Sequence, residues 1–436
     1  MSTLVRLGKK VKHLAKHFLQ PAQPPVLSYC RRIERVKTTE RVCAMTFDDG
    51  PMLLPATTGG ADNRGLTEVL LDVLDEFNAK GTFDVIGNTS ENYPDVCGKS
   101  GSPQWGGVAY DHYPCFGQDQ MGGALNASEV IARIIREGHQ ITNHGYRHIL
   151  FGKKSVVYGK RRTLGSLDNV LEDLTRLDRL LQAEGYRLRM ARPPHYVDRI
   201  DRCFSSYDAY SAMGYLYLAA SFDGAGWLPG KGENPEQAEL DEMVLPMQKK
   251  LEQNPDFFCG QIIFQKDGYN MAKRTPVAVG LRHQLELLTQ AGYRVVTVDE
   301  LMKRSPFADI GREDRDFECF NTLIARRPIA DTDNCLRPDK PMTAGELAML
   351  LAPRCAAVEE RLKQLNAGNR RFRAPYSGAM AWCARQGILR NLRASAPVNA
   401  ELLKSMPQFF NAAALPEQDA LTRRTVYTAV RPDALV

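Results

Sequence analysis

The residues best placed to do chemistry are two adjacent carboxylates, Asp48 and Asp49, in the run Thr46-Phe47-Asp48-Asp49-Gly50-Pro51. They close an apolar stretch that reads as a strand, and in α/β folds sites are built at strand C-termini. Neighbouring side chains leaving a strand end diverge, so one carboxylate could bind a metal while the other activates water. The same four residues, Asp-Asp-Gly-Pro, also make an ordinary turn. A second run, Asn143-His144-Gly145-Tyr146-Arg147-His148, carries two imidazoles four residues apart, the spacing that puts both on one face of a helical turn as metal ligands. Two histidines and one aspartate leave a coordination position open, a catalytic arrangement, whereas structural zinc is closed by four protein ligands. Taken alone, such a pair is more often a surface feature. A third run, Arg192-Pro193-Pro194-His195, holds an arginine beside two prolines that fix the local backbone. An arginine there could orient a carboxylate and keep it ionised through a bidentate hydrogen bond, although singly the run is a rigid turn. The three segments together favour one site.

These residues need a scaffold. From about residue 41 to 301 short apolar runs alternate with helix-length amphipathic segments, the grammar of βα units and parallel strands. The strands are expected at 42–47, 81–86, 139–143, 188–191, 216–222, 261–265 and 294–298. Helices are expected near 67–80, 128–137, 166–184, 237–252 and 276–290. This predicts an α/β domain, barrel-like or open. A glycine-rich, polar stretch over 87–126 is too long for a simple connection and reads as an insertion that covers the site and selects the substrate. Cys97 and Cys115 flank much of it, and a bridge between them would staple it. The other cysteines, of ten in all, are scattered without a C-x-x-C pair, which fits neither a zinc ribbon nor a disulfide scaffold.

The ordered combination carries a resemblance. Thr-Phe-Asp-Asp-Gly-Pro, then Gly138-His139-Gln140-Ile141-Thr142-Asn143-His144 with His148, then Arg192-Pro193-Pro194, and finally Gly292-Tyr293-Arg294-Val295-Val296-Thr297-Val298-Asp299-Glu300-Leu301 resemble the polysaccharide deacetylases of the NodB-homology type, carbohydrate esterase family 4. Gly81-Thr82-Phe83-Asp84-Val85-Ile86-Gly87 resembles the family's second strand. The resemblance covers roughly residues 41–301 and implies a distorted (β/α) barrel that removes N-acetyl groups from amino sugars with a divalent metal, Zn2+ or alternatively Co2+ or Ni2+. Carried over, Asp49, His144 and His148 bind the metal, Asp48 is the general base, and Arg192 holds Asp48. The backbone N–H of His195, where the family usually has Tyr, helps receive the oxyanion, and Trp227 belongs to the substrate side. Two further positions depart from the pattern. In Ile262-Ile263-Phe264-Gln265-Lys266-Asp267, Lys266 stands where the family has the histidine that protonates the leaving amine. In Asp223-Gly224-Ala225-Gly226-Trp227, the family's second aspartate has become Gly226. Asp223 is then expected to pair with Lys266 and keep it charged, because a lysine, with a reference pKa of about 10.4, is a poor acid near neutrality. Three readings follow: a metal-dependent N-deacetylase of a bacterial amino-sugar polymer or glycoconjugate; a catalytically silent carbohydrate-binding pseudoenzyme that keeps the metal pocket; and a non-sugar amidase.

Beyond Ser305-Pro306 strand alternation stops and helix-length runs with many arginines take over, so a second, mainly helical domain is expected over 306–436. Its stretches 306–310, 328–331 and 336–348 resemble one S-layer homology repeat, with a weaker echo at 379–389. That resemblance implies binding of a cell-wall polymer; the alternative is a packing or self-association module. The usual Thr-Arg-Ala-Glu reads Thr343-Ala344-Gly345-Glu346.

The whole chain constrains what remains. It has 436 residues, 43% of them apolar, enough for two or three domains. Its 57 basic and 51 acidic side chains leave a charge of +6, too small an excess to argue for nucleic acid. No apolar run reaches the roughly 18 to 20 residues that span a bilayer. Residues 1–40 form a basic extension in which Leu4, Leu7, Val11, Leu14 and Phe18 share a helical stripe among lysines. That stripe could dock on the protein itself or lie on an anionic membrane surface. With no secretory signal read there, the expected location is the cytoplasm or the membrane periphery, with the cell envelope as the alternative.

Overall fold

The structure, a computed structural model, describes residues 29–59, 63–88, 121–152, 163–270, 272–411 and 415–435. The N-terminal stripe, most of the 87–126 insertion and both Cys97 and Cys115 lie outside the described residues.

Eleven strands are described: β1 (Arg32–Ile33), β2 (Val42–Asp48), β3 (Thr82–Val85), β4 (Gln140–Asn143), β5 (Leu150–Phe151), β6 (Thr163–Leu164), β7 (Met190–Ala191), β8 (Leu216–Leu218), β9 (Phe222–Asp223), β10 (Ile262–Lys266) and β11 (Arg294–Val296). Nine form one sheet in the order β1-β8-β7-β4-β3-β2-β10-β9, with β11 pairing the N-terminal half of β2, and every pairing is parallel. The two end strands, β1 and β9, do not pair with each other, so the sheet is a curled half-barrel rather than a closed one. Every residue of β2 is buried, as expected of a parallel strand covered on both faces. One edge strand, β1, comes from upstream of residue 41.

The single strand expected at 216–222 is two. Ser221 makes the break: its N–H donates to the Ile262 carbonyl at 2.9 Å, and its hydroxyl accepts the Ile262 N–H at 3.2 Å. That exchange carries the chain from β8, beside β7, to β9, beside β10.

The five expected helices are found, at Leu66–Glu76, Ser128–Arg136, Leu167–Ala183, Pro235–Gln253 and Val277–Gln290, and Ser206–Met213 is a further one. Helix Leu167–Ala183 starts where the Ser166 hydroxyl accepts the Asn169 N–H at 3.2 Å, and it buries Leu167, Val170, Leu174, Leu177 and Leu181 at three- and four-residue steps. Each such leucine contributes about 1.5–3 kcal/mol by leaving water, and Leu177→Ala would cost roughly 2–5 kcal/mol.

Register decides which side chains share the functional face. Lys266, Asp48, Asp84 and Thr142 are cross-strand partners in one row spanning β10, β2, β3 and β4. Gln265, Phe47, Phe83 and Ile141 form the row before it, on the opposite face, where the Phe47 and Phe83 rings stack at 4.9 Å. One side of these strands is therefore aromatic core and the other carries charge.

Past residue 306 the chain is helical, with helices Phe317–Ile324, Ala344–Leu351, Arg354–Asn366, Ser377–Arg385, Ala400–Lys404 and Arg423–Ala429 around a core of their own that includes Phe320, Leu347, Phe410 and Val426. This half docks on the sheet domain through helix Arg354–Asn366, whose Arg361 Nε lies 3.0 Å from Asp208 Oδ1 on helix Ser206–Met213. Thr343 and Glu346 cap the helix Ala344–Leu351 reciprocally. A Cβ at Gly345 would come within 2.7 Å of the Tyr376 ring, so glycine there is what lets that ring pack on the helix.

Candidate metal centre

The C-terminal end of β2 delivers both carboxylates. Asp48 is its last residue, and Asp49 follows with φ 80, so the chain turns and the two side chains part. Gly50 is required next: a Cβ there would lie 1.8 Å from Asp267 Oδ2, on top of the loop that follows β10. The two histidines come from the loop after β4. They are not on a helix, as their spacing suggests. Residues 144–149 form an irregular bend with Gly145 at φ 84 and His148 at φ 50, and the bend rather than a helical turn brings the rings to one side. A single oxygen, Asp49 Oδ1, lies 3.2 Å from His144 Nε2 and 2.9 Å from His148 Nε2. All three residues are buried, and their ligand atoms lie within 4.8 Å of one another. His144 Nδ1 is 3.0 Å from the Arg192 carbonyl, which orients that ring with its Nε2 toward Asp49.

Arg192 is fully buried at the end of β7. Its Nη1 bonds Asp48 Oδ1, reaches Thr46 Oγ1 at 3.0 Å, and lies 3.0 Å from Asp84 Oδ2. Arg192 thus meets Asp48 through one nitrogen and one oxygen rather than the bidentate fork expected, its Nε turning to the Leu218 carbonyl at 3.3 Å, and Nη1 is shared with a second carboxylate. His195 follows the two prolines at φ 55, half-buried, with its ring 5.2 Å from that of His148.

Lys266 does not meet Asp223. Its Nζ bonds Asp49 Oδ2, the oxygen that the imidazoles leave open, because Lys266 is the register partner of Asp48 and points to the same face. Asp223 lies two positions earlier in that register, opposite Phe264, and is exposed. Its carboxylate accepts the Ala225 N–H at 2.9 Å and the Trp227 indole N–H at 3.1 Å.

Sequence reasoning passed over two members of the cluster. Asp84 and Asp267 are both fully buried. Asp84 accepts from the Thr142 hydroxyl, and Asp267 accepts from the Thr67 hydroxyl at 2.7 Å. Asp84 had a signal: a carboxylate inside Thr82-Phe83-Asp84-Val85-Ile86 must have a partner, because an unpaired charge is not buried at reasonable cost. Among the described residues the cluster thus holds four carboxylates, Asp48, Asp49, Asp84 and Asp267, against two fixed cations, Arg192 and Lys266. Burial pushes the Asp48 carboxyl up to about 6, against the opposing pull of Arg192. The same cause raises Asp84 and Asp267 to about 7. Carboxyl groups outnumbering cations there, beside two imidazole nitrogens aimed at one carboxylate oxygen, make a donor set that fits one divalent cation.

Part of the chain is similar to known proteins. Residues 35–200 match the family model for polysaccharide deacetylase. The peptidoglycan-N-acetylmuramic acid deacetylase PdaC of Bacillus subtilis is 25% identical over 162 residues, 37% of this chain and 23% of that protein, so the match spans under a quarter of the relative's length. Among solved structures, the chitin deacetylase of Colletotrichum lindemuthianum is similar with a TM-score of 0.41 at 17% identity, over 65% of this chain and 93% of that one. A CE4 family pseudoenzyme from Bacillus anthracis is similar with a TM-score of 0.39 at 14% identity, over 62% of this chain and 68% of that one.

Proposed function

We propose that the chain is a metal-dependent N-deacetylase that hydrolyses N-acetyl groups on an amino-sugar polymer or glycoconjugate. The observation that carries this reading is the pairing of two carboxylates with separate duties: Asp49 faces both imidazoles, while Asp48, beside it, is gripped by Arg192. Asp49, His144 and His148 would hold the cation. A divalent cation there, Zn2+ or alternatively Co2+ or Ni2+, acidifies water and polarises an amide carbonyl. Asp48 takes the proton from the attacking water, aimed by Arg192, and with lysine at 266 it is also the group that returns that proton to the leaving amine as the C–N bond breaks. The N–H of His195, held by the prolines before it, supports the oxygen that gains charge. Lys266 provides fixed positive charge beside Asp49, and the exposed Asp223 with the half-buried Trp227 forms a rim suited to a sugar face. The family match to polysaccharide deacetylase supports the substrate class.

A second reading has its own observation. Lys266 sits where a general acid is expected and is tied to Asp49, which suits a glycan-binding protein that kept the pocket and lost turnover. Acetate released from N-acetylated glycans by zinc-loaded protein, beside Asp48→Asn with bound metal quantified in both, separates the two. Release by the wild type, lost in the variant while metal stays bound, supports the deacetylase with Asp48 as its base. No release from metal-loaded wild type overturns the deacetylase on those glycans in favour of the binder.

A further inference from the structure

We propose that Lys266 is a built-in competitor of the divalent cation: its ammonium holds Asp49 Oδ2 and keeps the affinity of the Asp49–His144–His148 site for divalent metal low. The inference rests on the metal reading above and concerns this chain's own residue at 266.

The geometry divides one carboxylate between two positive partners. Oδ1 of Asp49 faces the two imidazole nitrogens, and Oδ2 faces the ammonium. The ammonium is therefore one carboxylate width from the place a metal ion would take. Lys266 is itself buried, with 3% of its surface exposed, so little water screens it from that place. At the effective dielectric of about 20 that suits such sites, a unit charge some 5 Å from a dication opposes its binding by well over tenfold. Asp49 is also the only anionic member of the three-ligand set, so its electron density is what the two cations share. Charge counting agrees. Whatever the protonation of its neighbours, a neutral side chain at 266 makes the cluster one charge more negative than Lys266 does, and a dication would be drawn in more strongly. The second effect of the contact runs the other way in the metal-free protein, where the ammonium satisfies a carboxylate that would otherwise be buried beside three others. Lys266 thus stabilises the empty pocket and weakens the filled one.

The test is the dissociation constant for Zn2+, measured by competition with a chromophoric chelator at one fixed pH, for full-length wild type and for Lys266→Met, Lys266→Gln, Lys266→Arg and Asp49→Ala. Lys266→Met is expected to bind Zn2+ at least tenfold more tightly than wild type. Lys266→Gln, which can still donate to Asp49, should show the same direction and stands in if the methionine variant does not fold. Lys266→Arg, which keeps the charge, should stay within about threefold of wild type. A second readout moves the same way: the rise in melting temperature on adding Zn2+ should be larger for the neutral variants, and their melting temperature in chelator lower. Folded neutral variants that bind Zn2+ no more tightly than wild type overturn the inference, and the metal site itself stands if Asp49→Ala has lost binding. If Asp49→Ala binds as wild type does, the metal reading and the inference fall together.

Discussion

The two halves of the molecule each bury a cluster of charge, and the clusters are built on opposite terms. In the sheet domain four carboxylates face two cations, and three of the carboxyls are pushed up toward neutral pH, chiefly by burial. In the helical domain the fully buried Arg423 reaches Asp331 at 2.6 Å, Glu346 at 2.8 Å and the Leu336 carbonyl at 2.6 Å. Arg337 then meets Asp331 and Asp333, and Lys340 meets Glu346 at 3.1 Å. Three cations there face three carboxylates, and the Glu346 carboxyl, although burial opposes it, is held below its usual range by Arg423. A cluster that satisfies itself is a staple: it ties helix Arg423–Ala429 to the loop over 331–340. A cluster whose described carboxylates outnumber its described cations, with imidazoles aimed into it, has donors to offer a cation. Buried charge by itself therefore says little about function, and the sign and size of the imbalance say more.

The strongest way to break this comparison is to remove the central ligand on one side. Asp49→Ala should abolish retention of divalent metal and, on the proposed deacetylase function, bring acetate release down to background. Metal content after gel filtration, read beside acetate release, checks it. A variant that keeps one metal per chain would show that the excess charge serves some other purpose.

On the other side the matching cut is Arg423→Met. It leaves Asp331 and Glu346 without their buried partner, so stability should fall by about 3–5 kcal/mol in denaturant titration. Metal binding should not change, because Arg423 touches nothing in the sheet-domain cluster. Loss of metal affinity in a folded Arg423→Met protein would join the two clusters functionally and end the contrast.

The sequence showed one cluster far more clearly than the other, for a physical reason. Asp48, Asp49, His144, His148 and Arg192 end strands or follow them, and strand ends in a parallel sheet converge on one edge, so a motif reading also predicts their proximity. The partner of Lys266 could not be read that way. Its pairing with Asp49 rather than Asp223 depends on the register of β10 against β2, more than 200 positions away, and against β9. The helical bend assumed for His144 and His148 failed likewise: spacing of four matches a helix, but Gly145 and His148 take positive φ and give the same convergence from a loop. In the C-terminal half, helix-length runs were legible, while the Arg423 cluster joins Asp331, Glu346 and Arg423 across nearly a hundred residues with no local pattern to mark it. The fold's open edge was hidden too, because two-residue strands such as β1 leave almost no period to detect.

A buried imidazole outside the charged cluster sharpens the contrast through pH. His139 Nδ1 accepts the Gly81 N–H at 2.9 Å, and the ring meets Phe83 edge-on at 5.6 Å. Burial, aided by Lys80, lowers its pKa to about 4. Its folded pKa lies below that of the unfolded chain, about 6.5, so the folded state binds fewer protons between those values. The stability it contributes is complete above about pH 6.5 and is lost as pH falls toward 4, by about 3 kcal/mol at most. His139→Asn, which can still accept from Gly81, should flatten that part of the stability profile measured in chelator. An unchanged profile would place the acid sensitivity elsewhere in the fold.

The smallest effect is the most discriminating, because it repeats at one cluster the change tested at the other. Lys340→Met removes an ammonium from Glu346, as Lys266→Met removes one from Asp49, and both carboxylates are buried. Lys340, however, has 46% of its side chain exposed, and Glu346 keeps Arg423 and the Thr343 N–H at 2.9 Å. Water and those remaining partners absorb the loss, so stability should change by less than about 1 kcal/mol, and Zn2+ affinity not at all. If Lys340→Met instead costs several kcal/mol, the helical-domain cluster is not self-sufficient. The excess of negative charge would then cease to distinguish a binding site from a staple in this molecule.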